Sequence, residues 1–446
     1  MRCSVIWLAV MLLTAGTVRG EVLNLSLKES IVMALEKNNS VRGAGYNADA
    51  AAKGVSIAGS AYYPSIFFEE TFAASNAPTQ TFMMKLDEGR FTESDFQINN
   101  LNSPSTHHDF KTAVTARIPI YNPALSPTRS MAIKDAEAAK LTFTLSREET
   151  AFQVFRHYLE VQTAAAQLVA VEKGVAEARE SMRLATVRNE AGVGLKSDEL
   201  RARTHLSATE QRQITAHNNL IIAQMRLAMM VGLASGSRIE PAEQAPYLSV
   251  AGTRESLITG ALATRSDMQL RSTEIEKADA AVGLARSAYL PSVGGFASYQ
   301  LNSRDTPLGV DNDSWIAGLS LQWQIFDGFK RGHERGRAAA QRAAAVENRE
   351  GSAKEIAFQV QESLLRREEM GKRLEVARHA LLDAEETVRL LTMRFENSMA
   401  TMLELLDAQT ALDQARASLA ATEAGYSLAG GRVFHMTGTF LEEMLK

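Results

Sequence analysis

Cysteine is almost absent from this chain: its single residue, Cys3, lies in an N-terminal stretch that reads as a removable leader. Arg2 supplies the positive start, Val5 to Ala15 form a short apolar run, and Val18-Arg19-Gly20 ends it with compact residues of the kind signal peptidase reads. Cleavage near Gly20 leaves Glu21 as the expected mature start, with no thiol behind it. Structural disulfides, thiolate metal sites and cysteine nucleophiles are thereby excluded. Long apolar runs are missing too, since no later stretch reaches the roughly 18 residues a membrane helix needs. An exported chain of this kind is periplasmic, secreted or a membrane β-barrel. No basic surplus exists either; the net charge is −4, which argues against a nucleic-acid partner. H-E-x-x-H, P-loop and G-x-S-x-G patterns are all lacking, and Gly232-Leu233-Ala234-Ser235-Gly236 has the wrong spacing for a nucleophile elbow. No enzyme and no cofactor are expected. His107-His108 reads as a solvated pair in a long loop, not as a metal site.

What is present is a duplication. Ser60-Ala61-Tyr62-Tyr63-Pro64-Ser65 matches Ser287-Ala288-Tyr289-Leu290-Pro291-Ser292 at an offset of 227, and Arg188-Asn189-Glu190 resembles Arg394-Phe395-Glu396 at 206. Between them, Ile118 to Asn122 answers Trp323 to Asp327 at 205. The fall in offset places about 22 extra residues in the first copy, between Thr71 and Phe110. A repeat this long is a duplicated domain and not a solenoid unit. The expected layout is a leader at 1–20, a first repeat at 21–240 and a second at 241–446. Strands are expected at about 62–73, 110–121, 291–301 and 314–326, and helical hairpins at about 128–232 and 332–437.

The hairpins carry the strongest periodicity. Met370, Leu374, Ala377, Leu381, Ala384, Val388 and Leu391 follow a heptad seam, and Ala164, Leu168, Val171, Val175, Ala178, Met182 and Ala185 repeat it 206 residues earlier. No proline interrupts Thr128 to Ala191, which allows a helix of roughly 96 Å at about 1.5 Å per residue. The single helices expected before the strands, Leu27 to Ala61 and Arg254 to Ala288, are half as long. The strands alternate. Trp315, Ala317, Leu319, Leu321, Trp323 and Ile325 oppose Ser314, Ser320, Gln322 and Gln324, with the two tryptophans spaced like a lipid-facing girdle. Val114, Ala116, Ile118 and Ile120 oppose Lys111, Thr115 and Arg117, whereas Glu69 and Glu70 fall on both faces of their strand. Four strands are too few to close a membrane barrel, so several chains must share one if these strands enter lipid.

The duplicated strand pair and hairpin resemble the TolC-like outer-membrane efflux proteins. Arg188-Asn189-Glu190-Ala191-Gly192 in one copy, and Arg394-Phe395-Glu396-Asn397 through Thr401-Met402-Leu403-Glu404-Leu405-Leu406-Asp407-Ala408-Gln409 in the other, carry the likeness over nearly the whole mature chain. The resemblance implies a mainly α chain with a small membrane β part, forming a trimer with a shared 12-stranded β-barrel and an α-helical periplasmic tunnel. It implies an exit duct in the cell outer membrane, served by a periplasmic adaptor (membrane fusion protein) and an inner-membrane pump of RND, ABC or MFS type. It also implies a pore constriction at Glu404 and Asp407, with Asp198 as the equivalent of Glu404, although acids here also suit a helix start. The adaptor-docking tips would be Gly192, Val193, Gly194 and Leu195 in one hairpin and Ser398, Met399 and Ala400 in the other. Phe395 and Ala400 stand where the best-known member has a Tyr and an Arg of its closing latch, and Ser398 where the turn often has Gly. A protein-secretion duct of the same fold is the near alternative, and a soluble coiled-coil scaffold or adaptor the distant one.

Overall fold

The computed structural model describes residues 21–446; the expected leader lies outside them. Along the chain the elements are β1 (Val22–Leu25), α1 (Leu27–Lys37), α2 (Asn39–Ser60), β2 (Ser65–Ser75), α3 (Pro78–Asp87), a 3-10 turn (Glu93–Phe96), α4 (Ile98–Asn102) and β3 (His107–Tyr121). Then follow α5 (Leu125–Glu190), α6 (Lys196–Val231), β4 (Arg238–Pro241), α7 (Arg254–Thr264), α8 (Ser266–Ser287), β5 (Ser292–Ser303) and β6 (Asn312–Gln322). Last come α9 (Lys330–Glu396), α10 (Met402–Thr437) and α11 (Phe440–Leu445). Helices α5 and α9 run 66 and 67 residues, and among the described residues no helix is long and apolar enough to cross a membrane. The chain folds into two compact units.

The first unit holds residues 21–46, 141–269 and 351–446. Its main core gathers Ile31, Phe155, Tyr158, Leu227, Val231, Ile239 and Phe440, all fully buried. Tyr158 keeps its hydroxyl satisfied by donating to the Glu243 carbonyl at 2.8 Å, so the largest core side chain leaves no polar atom stranded. Strand β1 pairs in parallel with β4, tying the start of the chain to the end of the first hairpin. The heptad seam turns inward as spacing dictates. Leu374, Ala377, Val175, Ala178 and Ala185 are buried, while the residues between them are mostly exposed.

The helices expected to run unbroken to the strands do not. Each stops at one extended residue, Asn38 (φ −62°, ψ 129°) or Arg265 (φ −60°, ψ 130°), 227 positions apart. Asn38 Oδ1 caps the next helix by accepting from the Ser40 amide at 2.8 Å, and its Nδ2 donates to the Met230 carbonyl at 2.7 Å. Arg265 donates to the Met436 carbonyl at 2.9 Å. Those two carbonyls are themselves repeat equivalents, so unlike side chains grip the same backbone position. Nearby, α6 and α10 end on left-handed glycines, Gly232 and Gly438.

The second unit comprises residues 47–140 and 270–350. Its helical segments are laced by Lys134 with Glu276, Lys277 with Asp135 and Arg342 with Asp279. Its sheet is antiparallel in the order β2-β3-β5-β6. Several strand bounds differ from expectation. Strand β2 begins at Ser65 because Tyr62 and Tyr63 turn back on the helix end, bonding to the Gly59 and Ser60 carbonyls. Strand β3 begins three residues early, so His107 and His108 lie in the sheet and not in a loop. Strand β5 covers 292–303, and β6 starts at Asn312 but ends at Gln322. Beyond that end, the Gln324 and Ile325 carbonyls accept from the Arg331 guanidinium, at 2.8 Å each, so no strand partner takes them. Pro119 brings a bulge late in β3, at a point past the pairing with β2 where its missing N–H costs little.

Candidate functional site

Two places concentrate unusual chemistry, one in each unit. In the second unit the register of the sheet decides which residues share a face. Partners directly opposite point the same way, so Ile66, Ala116, Ala297 and Ala317 align, as do Phe68, Val114, Tyr299 and Trp315. Leu319 and Leu321 continue this face through Gly295 and Val293. It is apolar and open: Trp315 is 76% exposed and Leu319 75%. Polar residues enter it only toward the strand-joining end, where Thr112 donates to the Glu70 carboxylate and the Tyr299 hydroxyl donates to Asp313 at 2.9 Å.

The reverse face carries Lys111, Thr115, Arg117, Ser298, Gln300, Ser314 and Ser320. Thr115 and Ser298 hydroxyls bond at 2.9 Å, and Gln300 donates to Ser314 at 2.8 Å. Phe67, Phe296 and Ile316 interrupt it. The Arg117 guanidinium sits 5.6 Å from the Phe67 ring centre, and Phe296 lies over Gly318, where a Cβ would come within 2.9 Å of the ring. Trp323 stands beyond the strand, its indole N–H donating to the Tyr289 carbonyl at 3.1 Å. An exposed apolar face of this extent on a sheet with two unpaired edges, β2 and β6, demands a cover that one chain does not supply.

In the first unit the ends of the two hairpins meet. Ala185, Ala202, Phe395, Met402, Leu405 and Leu406 form a small core beneath them. Arg188 binds one tip to the other. It donates to the Phe395 carbonyl at 2.9 Å, the Glu396 carbonyl at 3.1 Å and Ser398 Oγ at 2.7 Å, and lies over the Phe395 ring. The turns are conformationally matched, Gly192 at φ 73° and Ser398 at φ 61°, so a serine holds a left-handed position that glycine fills in the other copy. Val193, Leu195 and Met399 project outward, each more than 60% exposed. Ala400 packs partly against the small core, and Gly194 closes on Arg188 too tightly for a Cβ.

Glu404 is the third residue of α10, and its carboxylate accepts from the Thr401 amide at 2.7 Å and hydroxyl at 2.9 Å. These bonds complete a capping box and hold its carboxyl below the usual range. Asp407 shares that face and is exposed. Asp198 is half-buried at the corresponding place in α6. Its neighbour Glu199, not singled out from sequence, is buried and accepts from Asn189 (2.8 Å), Lys196 (2.7 Å) and Arg203 (2.9 Å). Lys196 foremost, then Asn189, holds its carboxyl low. The i−3 and i+4 spacing of the two cations was legible in the sequence; the approach of Asn189 across the turn was not.

The family model for outer membrane efflux proteins matches residues 30–233 and 257–439, most of both copies. The chain belongs to the outer membrane efflux protein family. Nodulation protein T of Rhizobium leguminosarum bv. trifolii is 21% identical over 271 residues, 60% of this chain; the chain spans 58% of the length of that relative. Among solved structures, a membrane protein from Pseudomonas aeruginosa aligns over 92% of this chain and 93% of its own, with a TM-score of 0.78 at 18% identity. The Campylobacter jejuni CmeC outer membrane channel aligns over 94% and 89%, with a TM-score of 0.77 at 16% identity. At such identities the likeness establishes the fold: an efflux protein of mainly helical build with a small strand part. Membership of this family puts the chain in the outer membrane.

Proposed function

We propose that this outer membrane efflux protein is the exit duct of a three-part pump, passively conducting what an inner-membrane transporter and a periplasmic adaptor deliver. The observation that carries the reading is the four-stranded sheet with an open apolar face and two unpaired edges. Backbone groups left unpaired in hydrocarbon cost several kcal/mol each, so such a sheet is stable in a bilayer only when other copies complete it. Three copies supply twelve strands, with the apolar face toward lipid and the Thr115–Arg117 face toward water. The exposed residues Val193, Leu195 and Met399 then serve as the adaptor's docking points, and Asp407, with Asp198, lines a cation-favouring constriction. Glu404 contributes charge there while capping its helix.

The deciding experiment is light scattering of the detergent-extracted protein, which should give a trimer and no folded monomer; a stable folded monomer overturns the reading. The constriction has its own test. Asp407→Asn leaves the Thr401–Glu404 cap untouched, and it should reduce cation selectivity in planar bilayers. Selectivity equal to that of the parent places Asp407 outside the pore.

A further inference from the structure

The connection between β2 and β3, residues 76–106, is folded in a way that merely joining two strands does not require. The corresponding β5–β6 connection needs only Arg304 to Asp311. In the longer segment Phe82, Phe91 and Phe96 pack edge-on, with centroids 4.5–6.4 Å apart. Lys85 and the Thr92 amide bind the Asp95 carboxylate and hold its carboxyl down to about 2. The three rings form a partly exposed aromatic cluster that keeps the segment folded.

Its attachment is directional. The register puts His107, Asp109 and Lys111 on the same face as Thr115 and Arg117, and pairs Asn302 and Asn312 onto that face as well. The end of α3 lies against this face. Glu88, with its side chain fully buried, meets His107 Nε2 at 2.9 Å, and Asn312 Nδ2 donates to the Asp87 carbonyl at 3.0 Å. Arg90 then reaches Asp305 at 2.8 Å and Asp311 at 3.0 Å in the short β5–β6 loop. Beneath, Asn302 donates to Asp109 at 2.7 Å, both nearly removed from solvent. Burying a carboxylate is costly unless it is paired, so the segment's own Glu88, held through one oxygen by His107 of the sheet, is a latch and not a stray contact.

This end of the sheet is where strand joins strand; at the opposite end the strands run into α2, α5, α8 and α9. Taking the duct reading as given, the strand-joining end is the outer mouth and the covered face is the lumen. We propose that residues 76–106 form a lid folded inward over the lumen face, limiting the size of solute that enters the barrel from outside. The latch is the Glu88–His107 pair together with the Asn312 and Arg90 contacts.

The test reads access from outside in intact cells. In a Cys3→Ser background, Ser298→Cys places a thiol on the covered face deeper in the sheet, and Leu319→Cys places one on the apolar face. Each is exposed to a small polar maleimide and to one carrying a polyethylene glycol chain. The lid is released by Glu88→Gln with Asn312→Ala, or removed by replacing residues 76–106 with the Arg304–Asp311 sequence. Trimer assembly is checked for each variant; where the replacement fails to assemble, the double substitution decides. The expected result is several-fold faster labelling of Ser298→Cys by the large reagent when the lid is released or removed, with the small reagent unaffected. Equal labelling by the large reagent in all forms overturns the lid and leaves the duct standing. Labelling of Leu319→Cys by the small reagent, with Ser298→Cys untouched, reverses the two faces and overturns the duct reading itself.

Discussion

Ser398 holds a backbone position that glycine fills in the other copy, and the reason is Arg188. A left-handed conformation costs a non-glycine residue about 1–2 kcal/mol. The charge-assisted bond from Arg188 to Ser398 Oγ is worth about 1.5–3 kcal/mol and offsets it. A double-mutant cycle therefore has a sign to predict. Ser398→Gly alone should be neutral or slightly destabilising, whereas in an Arg188→Ala background it should stabilise by about 1 kcal/mol. Arg188→Ala itself should lower amide-exchange protection around residues 393–403 by about 2 kcal/mol, since two carbonyls and a hydroxyl lose a charged donor. Identical effects of Ser398→Gly in both backgrounds would remove the compensation argument. The turns were readable in advance because the same Arg and turn recur 206 residues apart. The bridge between them was not, because which carbonyl an arginine reaches depends on how two distant hairpins pack.

Helix ends, more than helix interiors, distinguish the elements of this fold. The heptad seam was legible because seven spaced apolar residues survive in each copy and face inward. The breaks at Asn38 and Arg265 were not, since neither carries a proline or glycine and each is specified by the carbonyl its side chain grips. His107 was misread as loop for a similar reason: its strand position is stabilised by Glu88, which arrives from another element. The paired glycine ends separate experimentally. A Cβ on Gly232 would come 2.7 Å from Lys37 backbone, which has no room to give, so Gly232→Ala should cost about 2–4 kcal/mol. On Gly438 it would come 2.9 Å from Arg265 Cγ, with the backbone farther off at 3.3 Å, and Gly438→Ala should cost less, about 1–3 kcal/mol. Circular dichroism melts compare the two. Near Gly438, His435 lies 3.2 Å from Glu149 and, as its chief partner, holds that carboxyl at about 2. A depressed carboxylate stabilises the fold above its unfolded value of about 4.3, and the contribution disappears as pH falls towards 2. His435→Gln should flatten the loss of melting temperature between pH 4.5 and pH 2, modestly because Glu149 is half exposed.

For the whole molecule, the sheet's two faces set the rules. Leu319→Arg puts a charge on the apolar face and should impair insertion by about 2–4 kcal/mol at mid-bilayer, while Ser320→Arg on the reverse face should be tolerated. Outer-membrane fractionation of the two variants reads the difference, and equal insertion would mean the faces are misassigned. The alternation in β6 was plain in the sequence, yet its extent was overdrawn, because Arg331 takes the carbonyls that would have continued it. The unpaired edges of β2 and β6 also have a genetic consequence. The proposed barrel of three copies would make every subunit an obligatory wall of its neighbours' channel. An allele that folds normally but carries a proline in the middle of β6 would still offer a sound β2 edge, enter mixed assemblies and leave each with a broken seam. Co-expressed with the parent, it should be dominant over it, and the surviving export should follow the cube of the parental fraction.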